Sequence, residues 1–300
     1  MSRTSRREFL KIAAISALPL RRVLSFGARS ASDAGEPFLR QIGVCTPLLN
    51  NDILAAGGCA YVEDGVRSFL IPEEPEEKFQ AMLADLKKSK LPVFACNGFL
   101  PGALKAVGPE AKHAAILAYA ETALARAARA GVGTIVWGSG ESRKIPEGFG
   151  RARAEEQFSD LAKKVAGLAG RFGVTIVLEP LNSGETNFIN NLEEGAAVVE
   201  AVGHPNFQLL ADFYHMLRAG ETPGAVEIHG QRLRHCHIAE KEKRTPPGVA
   251  GDDFRPFLRA LKKVRYKGRL SIECRWDQLA AELPPAMAYL RKQIAEVAAG

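Results

Sequence analysis

The chain has 300 residues, of which 46% are hydrophobic and 25% are charged. This balance is typical of a folded globular protein and excludes a disordered chain, a collagen-like repeat and a disulfide-stapled miniprotein. Forty Lys and Arg residues against 34 Asp and Glu residues give a formal net charge of +6. Seven of these bases and one acid lie in the first 30 residues, which leaves 33 of each in residues 31–300. The main part of the chain is therefore neutral overall and lacks the basic footprint expected of a nucleic-acid-binding protein.

The N-terminal segment reads SRREFLK from Ser5 to Lys11 and continues into an apolar run from Ile12 to Leu20. It resembles the twin-arginine export signal, which implies a bacterial protein exported already folded and a periplasmic location. The apolar run is far shorter than the ~20 residues that span a bilayer, so we expect no stable membrane anchor. We interpret residues 1–31 as a signal peptide; a basic helix lying on an anionic surface is the alternative.

Beyond a polar linker, β-like and amphipathic segments alternate to the end of the chain. The predicted strands are Gln41–Thr46, Ala60–Glu63, Pro92–Asn97, Thr134–Gly138, Thr175–Glu179, Gln208–Asp212, Leu233–Ile238 and Arg269–Glu273. The predicted helices are Glu76–Lys88, Glu110–Ala130, Ala154–Phe172, Leu192–Val202, Phe254–Val264 and Leu279–Ala298. Eight strand signals with helical or irregular connections predict a (β/α)8 TIM barrel, an α/β fold, as one catalytic domain over residues 38–300. An open doubly wound sheet is the alternative, disfavoured because no glycine-rich phosphate loop follows the first strand.

The fifth to eighth predicted strands each deliver one acid or imidazole near their carboxyl ends: Glu179, Asp212, His237 and Glu273. In such a barrel the loops at these ends form the functional face, so we expect the four side chains at one level. Three carboxylates crowded there would repel one another unless a cation compensates. Oxygen ligands with one imidazole suit Mn²⁺, Mg²⁺, Co²⁺ or Zn²⁺. Taken singly, each residue would also be consistent with a solvated rim group, a helix cap or an interior histidine.

The surrounding motifs are E-P-L-N…E-T-N-F, D-x-x-H, H-x-I-A-E…R…P-G and S-I-E, in chain order. They resemble those of the sugar-phosphate isomerase/epimerase-like barrels, or xylose isomerase-like TIM barrels, over about residues 40–295. That superfamily includes ketose 3-epimerases, hydroxypyruvate isomerase-like enzymes and, more distantly, endonuclease IV. The resemblance implies that Glu179, Asp212, His237 and Glu273 ligate a divalent metal ion, with Mn²⁺ favoured. It is specific for the superfamily and not for the substrate.

The resemblance also implies that Glu185 and His215 contact the hydroxyls and carbonyl of a substrate. The family's arginine after the seventh-strand histidine is matched, with an offset of one, by Lys243 and Arg244, and we assign Arg244. His235 is expected to point inward one layer deeper than His237 rather than to act as a ligand. Dimers are common in the resembled family, so a homodimer is an expected assembly. Four aromatic residues could stack on a sugar or pack in the core: Phe99, Trp137, Phe188 and Trp276.

Together these residues predict a metal-dependent isomerase or epimerase acting on a sugar or keto-sugar. The metal would stabilise an enediolate while Glu179 and Glu273 act as base and acid on opposite faces of one carbon. Because the export signal implies unphosphorylated substrates, a periplasmic lyase or dehydratase acting on a 3-keto-glycoside or keto-cyclitol is the alternative. A non-catalytic sugar-binding barrel is a further alternative. DNA repair is disfavoured by the neutral main chain and by the few histidines at strand ends.

Overall fold

The structure is a computed structural model that describes residues 38–300, and the predicted signal peptide lies outside the described residues. Eight parallel strands pair in sequence order, and β8 pairs with β1 to close a barrel. The strands are β1 (Ile42–Cys45), β2 (Tyr61–Gly65), β3 (Val93–Asn97), β4 (Thr134–Trp137), β5 (Thr175–Leu178), β6 (Phe207–Asp212), β7 (Leu233–Ile238) and β8 (Arg269–Ile272). This closure confirms the predicted (β/α)8 TIM barrel and excludes the open sheet.

The helices include all six that hydrophobic periodicity predicts, with bounds within three residues of the prediction. They are α1 (Asn51–Ala56), α2 (Glu76–Lys88), α3 (His113–Ala130), α4 (Gly140–Arg143), α5 (Arg151–Phe172), α6 (Leu192–Val202), α7 (Phe213–Ala219), α8 (Pro223–His229), α9 (Arg255–Lys263) and α10 (Leu279–Ala299). The four additional helices are α1, α4, α7 and α8, whose four to seven residues are too short to carry a clear periodic signal. Within residues 38–300, no helix is long and apolar enough to cross a membrane.

The predicted fifth and eighth strands each extend one residue too far at the carboxyl end, where the site acids lie. Glu179 and Glu273 directly follow β5 and β8 rather than ending them. Their backbone amides nevertheless continue the pairing, since Glu179 N donates to Trp137 O (3.2 Å) and Glu273 N donates to Ile238 O (3.1 Å). Both acids are therefore held at the barrel mouth by the neighbouring strand.

The inside of the barrel has an apolar and a polar part. On β4, β5 and β6, the buried side chains of Val136, Val177 and Leu210 form a small apolar cluster. On β2, β7 and β8, the fully buried interior residues are instead polar: Glu63, His235, His237 and Ser271. The larger apolar core lies between the strands and the helices. The polar part lies on the side of β7 and β8, two of the strands that carry predicted metal ligands.

Three of the four aromatic residues considered as sugar-stacking groups pack in the core. The ring of Trp137 lies 5.4 Å from that of Phe99 and 4.9 Å from that of Phe158, measured between centroids. Phe158 in turn contacts Phe188 edge to face at 5.7 Å. Trp137, Phe99 and Phe188 are all at most 1% exposed, so they stabilise the layer outside the strands. Trp276 is partly buried against the same core.

Candidate metal centre and active site

Glu179, Asp212, His237 and Glu273 converge at the carboxyl-terminal mouth of the barrel. Asp212 is the last residue of β6 and is paired with His237 of β7 in the strand register. One ligand atom from each of the four residues lies within 4.8 Å of the others. Glu179, Asp212 and His237 are buried, and the Glu273 side chain is 20% exposed. The structure thus brings together all four residues that the strand ends indicated.

His237 lies between carboxylates on both sides of its ring. Nδ1 is 3.0 Å from Glu179 Oε1 and 3.0 Å from Glu273 Oε2, and Nε2 is 2.9 Å from Glu63 Oε1. Burial opposes the charged imidazole, but Glu63 and Glu273 together raise the pKa of His237 well above its ordinary value. In the metal-free protein the imidazolium therefore holds the carboxylates together. A cation bound by Nδ1 would replace that proton.

Of the two basic residues of this loop, Arg244 is the one that lies above the same carboxylates. Its Nη2 donates to Glu273 Oε2 and lies 3.3 Å from Asp212 Oδ2, while its guanidinium stacks 4.7 Å from the Tyr214 ring centroid. Lys243 is exposed. The backbone at both positions is left-handed, with φ of 55° and 56°, and this turn directs Arg244 inward. Arg244 thus lies where it can contact an oxygen of a bound molecule.

His215 and Glu185 also line the site, and Glu185 Oε1 lies 3.8 Å from Arg244 Nη1. His215 Nε2 lies 3.5 Å from Asp212 Oδ2, and its Nδ1 is 2.8 Å from Asn182 Nδ2 and 3.9 Å from Glu185 Oε1. Burial lowers the pKa of His215, so the neutral ring is favoured. Asn182 was not assigned a role from the sequence, although it is the last residue of the E-P-L-N motif. It orients the ring of His215 by contacting Nδ1.

Two further polar residues support the ligands and were not singled out by the sequence pattern. Asn97, at the end of β3, donates from Nδ2 to Glu273 Oε1 at 2.8 Å. Glu63 of β2 accepts from the far side of the His237 ring. Their signal in the sequence is slight: each is a single polar residue in a β-like segment, and its partner lies more than 170 positions away. Only the closed barrel brings these residues to the site.

The electrostatics of the four ligands reflect their crowding. Burial, reinforced by Glu273, raises the pKa of Glu179. Burial likewise raises the pKa of Asp212 from 3.8 to about 6, against the attraction of Arg244. For Glu273 the burial effect is outweighed by His237 and Arg244, which lower its pKa. The two glutamates therefore differ in proton affinity in the metal-free protein, with Glu273 the more readily ionised.

A buried arginine fixes the backbone from which Glu179 and Glu185 project. Arg143 of α4 is fully buried, and its guanidinium donates to the carbonyls of Trp137, Gly138, Glu179, Phe188 and Ile189. Burial lowers its pKa to about 10, so it remains charged at neutral pH. The five carbonyl dipoles compensate this charge in place of a carboxylate. Arg143 thus joins the ends of β4 and β5 to the loop that follows Glu185.

A cavity of about 220 Å³ opens over the ligands. Its lining includes Asn97, Glu179, Glu185, His215, Arg244 and Glu273. Gly138 also lines it, and a Cβ at this position would overlap Glu179 Oε2, so glycine makes room for that carboxylate. The volume is below the ~300–1,000 Å³ typical of sites for drug-sized ligands. The cavity suits a small polar molecule.

The donor set fits a divalent cation. Three carboxylates and one imidazole nitrogen supply oxygen-rich coordination with one borderline donor, as Mn²⁺, Mg²⁺, Co²⁺ and Zn²⁺ accept. His237 also has the carboxylate partner on its second nitrogen that metal-ligating histidines commonly show. Nδ1, by contrast, faces the other ligands. The residues present therefore form a possible metal site.

Comparison with known proteins agrees with this architecture. The sequence model of the xylose isomerase-like TIM barrel family matches residues 52–294. The chain is 35% identical over 127 residues to L-ribulose 3-epimerase of a Methylomonas species, covering 41% of this chain and 44% of that protein. It is 33% identical over 133 residues to 3-dehydro-D-guloside 4-epimerase of Escherichia coli, covering 44% and 48%. The matched stretches thus span about half the length of these curated relatives.

Among solved structures, the fold is similar to that of 3-keto-D-glucoside 4-epimerase from E. coli in its apo form. The TM-score is 0.71 at 22% sequence identity, and the match covers 84% of this chain and 99% of that one. At this identity the similarity concerns the fold alone.

Proposed function

This chain belongs to the xylose isomerase-like TIM barrel family, and from that premise we propose that it is a metal-dependent isomerase or epimerase acting on a keto-sugar. The observation that carries the proposal is the convergence of Glu179, Asp212, His237 and Glu273 within 4.8 Å at the barrel mouth. Two of these four are glutamates, so the same cluster supplies ligands and proton-transfer groups. The epimerase relatives support the reaction class, since both act on sugars by name.

The chemistry follows from the arrangement of the carboxylates. A divalent ion, Mn²⁺ in the first instance, would polarise the substrate carbonyl and stabilise the negative charge of an enediolate. Glu179 and Glu273 project from β5 and β8, which are not neighbours in the barrel, so they approach a molecule in the cavity from different sides. Glu273, held by Asn97 and Arg244, removes the proton next to the carbonyl, and Glu179 returns one to the opposite face. The outcome is inversion of one stereocentre or migration of the carbonyl.

Three residues around the cavity would bind the substrate. Arg244 contacts the carboxylates of Asp212 and Glu273, and another of its N–H groups can donate to a substrate oxygen. His215 is neutral and held by Asn182, and the Glu185 side chain is 41% exposed; both offer hydrogen bonds to substrate hydroxyls. The proposed periplasmic location favours an unphosphorylated sugar as the substrate.

A lyase or dehydratase is the second candidate, because the same proton removal would expel a leaving group on the neighbouring carbon. It is favoured by the export signal at residues 5–11, since 3-keto-glycosides and keto-cyclitols are substrates that a periplasmic enzyme would meet unphosphorylated. On this account the mature protein works in the periplasm after twin-arginine export. In a barrel that only binds sugars, the two glutamates would be metal ligands with no proton to transfer.

The test begins with the metal content of protein purified without chelator, measured by plasma mass spectrometry. The Mn²⁺-loaded protein is then incubated with 2-ketoses and with 3-keto-glycosides, and the products are identified by NMR after removal of the metal. We expect about one equivalent of divalent metal and a product epimeric or isomeric with the substrate. Elimination products would select the lyase instead. Tight sugar binding without turnover of any member of the panel would contradict both.

A further inference from the structure

Glu63 occupies an unusual position below the metal centre. It lies on β2, outside the four strands that carry the ligands, and its side chain is completely buried. Oε1 lies 2.9 Å from His237 Nε2, while Oε2 accepts from Ser271 Oγ at 2.6 Å and lies 2.8 Å from His235 Nε2. Both oxygens of this carboxylate therefore have partners from β7 and β8. Ser271 Oγ also lies 2.9 Å from the Tyr61 hydroxyl, so Tyr61 is the outermost member of this hydrogen-bond network.

The network fixes where the histidine protons lie. Among the described residues, His235 Nδ1 is buried and has no hydrogen-bond partner, so the neutral ring must donate from Nε2 to Glu63. A carboxylate accepts only, so the proton on His237 Nε2 likewise points to Glu63. His237 Nδ1 is then the nitrogen left to face Glu179 and Glu273. Tautomer and ring orientation of His237 both follow from this one contact.

We propose that Glu63 is a positioning residue that holds His237 as a metal ligand through its Nε2–H. The inference rests on the proposed metal dependence and adds β2 to the strands that contribute to the site. Glu63 gives the ring its orientation and increases the electron density at Nδ1 by accepting the opposite proton. It contacts the ring at Nε2, whereas Glu179 and Glu273 face Nδ1, so Glu63 holds the ring from the side opposite these two candidate ligands.

A purely structural role would be the competing explanation. A buried carboxylate must be compensated, and two imidazoles and a hydroxyl do so here. A structural role predicts that removing the charge lowers thermal stability and leaves metal affinity as it was. The positioning role predicts a change in metal affinity beyond any change in stability, which separates the two.

The experiment compares Glu63→Gln with Tyr61→Phe by titration calorimetry with Mn²⁺ on the metal-free protein and by thermal unfolding. In Glu63→Gln the amide oxygen can still accept from His237, but it carries no negative charge and so increases the electron density at Nδ1 less, while His235 can accept an amide proton by changing its tautomer. Tyr61→Phe removes a hydrogen bond from the same network without touching Glu63 or His237. We expect the dissociation constant for Mn²⁺ to rise 10–100-fold in Glu63→Gln and less than about twofold in Tyr61→Phe.

Equal affinity of Glu63→Gln and the unmodified protein would overturn the inference, as would an equal loss in Tyr61→Phe. If the unmodified protein itself binds no Mn²⁺, the proposed function fails with it, so the two failures are distinguishable. A measurement without any substitution guards against a variant that does not fold. In ¹⁵N-histidine-labelled, Zn²⁺-loaded protein, the histidine that shifts on metal loading should carry its proton on Nε2, and a proton on Nδ1 of that histidine would overturn the assignment.

Discussion

At the residue scale, burial of the Asp212 carboxylate destabilises the metal-free folded protein. Its carboxylate is almost completely buried beside two other acids, and burial raises its pKa from 3.8 to about 6. Arg244 and the backbone amide of Tyr214, which donates to Oδ1 at 2.8 Å, offset only part of this penalty. Above pH 6 the metal-free protein therefore holds a carboxylate that would be better solvated in the unfolded chain. A bound metal ion would compensate this buried charge and so stabilise the folded state.

Asp212→Asn should stabilise the metal-free protein at pH 7.5 while it abolishes tight metal binding. Because the folded pKa lies above the unfolded one, the folded state binds more protons, and the unfolding free energy falls as pH rises from about 4 to 6. Asparagine removes this penalty and keeps an oxygen for the Tyr214 amide. The two-unit shift sets an upper limit of about 3 kcal/mol on the gain. Thermal unfolding at pH 7.5 and at pH 4, with and without Mn²⁺, measures it.

Asp160→Asn, on the exposed face of α5, is the matched control and should leave the melting temperature unchanged under all four conditions. The gain at position 212 should shrink toward pH 4, where the carboxyl is protonated in the folded state. A metal-free Asp212→Asn protein less stable than the unmodified chain at pH 7.5 would show that the Arg244 contact outweighs the burial penalty.

At the scale of elements, the loop between β7 and α9 is organised by one buried acid. Glu240 is 0% exposed; its Oε1 accepts from the amides of Gly248 (2.8 Å), Gly251 (2.8 Å) and Asp252 (3.2 Å). Its Oε2 accepts from the Ala250 amide and from Thr245 Oγ1. The loop folds around this carboxylate and carries Arg244 to the cavity. Its conformation therefore depends on an acceptor with both oxygens engaged.

Glu240→Gln should loosen residues 241–252 without unfolding the barrel. Either orientation of the amide turns an NH₂ group toward backbone N–H donors, and each donor left without an acceptor costs roughly 1–3 kcal/mol. Hydrogen–deuterium exchange with mass spectrometry should show faster exchange in this loop and unchanged protection in β5 and β6. Glu242→Gln, at an exposed position of the same loop, should exchange as the unmodified chain does. Uniform loss of protection across the barrel would contradict the local role.

The sequence predicts the elements more completely than the interactions between them. All eight strands and the six long helices follow from apolar runs and periodicity, because burial repeats within each element. The convergence of the four candidate ligands could be predicted because parallel strand ends meet at one rim. Glu63, Asn97 and Arg143 could not, since each acts through contacts with distant segments that leave no local pattern. The sequence left both sugar stacking and core packing open for Trp137, and the structure places its ring in the core against Phe158.

For the whole molecule, the distribution of charge distinguishes the proposed leader from the barrel. The net charge of +6 is carried by the first 30 residues, and the remainder is neutral. The barrel closes within residues 38–300 through pairing of β1 with β8. A protein exported folded can therefore form its metal site before it leaves the cytoplasm, which is where the proposed twin-arginine route would load it.

Arg6→Lys combined with Arg7→Lys should retain the protein in the cytoplasm of a bacterium with a twin-arginine system. The substitution keeps the charge of the leader and removes only the paired arginines, so any change reflects recognition of the motif. Cell fractionation and immunoblotting give the distribution. Arg21→Lys with Arg22→Lys, a second arginine pair beyond the apolar run, is the matched control and should be exported. Periplasmic recovery of the first variant would contradict the assignment.

The central claim is that two glutamates transfer a proton at a carbon next to a metal-polarised carbonyl. It is tested by incubating the Mn²⁺-loaded protein with a keto-sugar substrate in D₂O and measuring deuterium at that carbon by mass spectrometry. The account predicts incorporation of one deuterium by the unmodified protein and by Glu156→Gln, an exposed control. It predicts none by Glu273→Gln with metal still bound. Retained exchange in metal-loaded Glu273→Gln would contradict the two-glutamate mechanism.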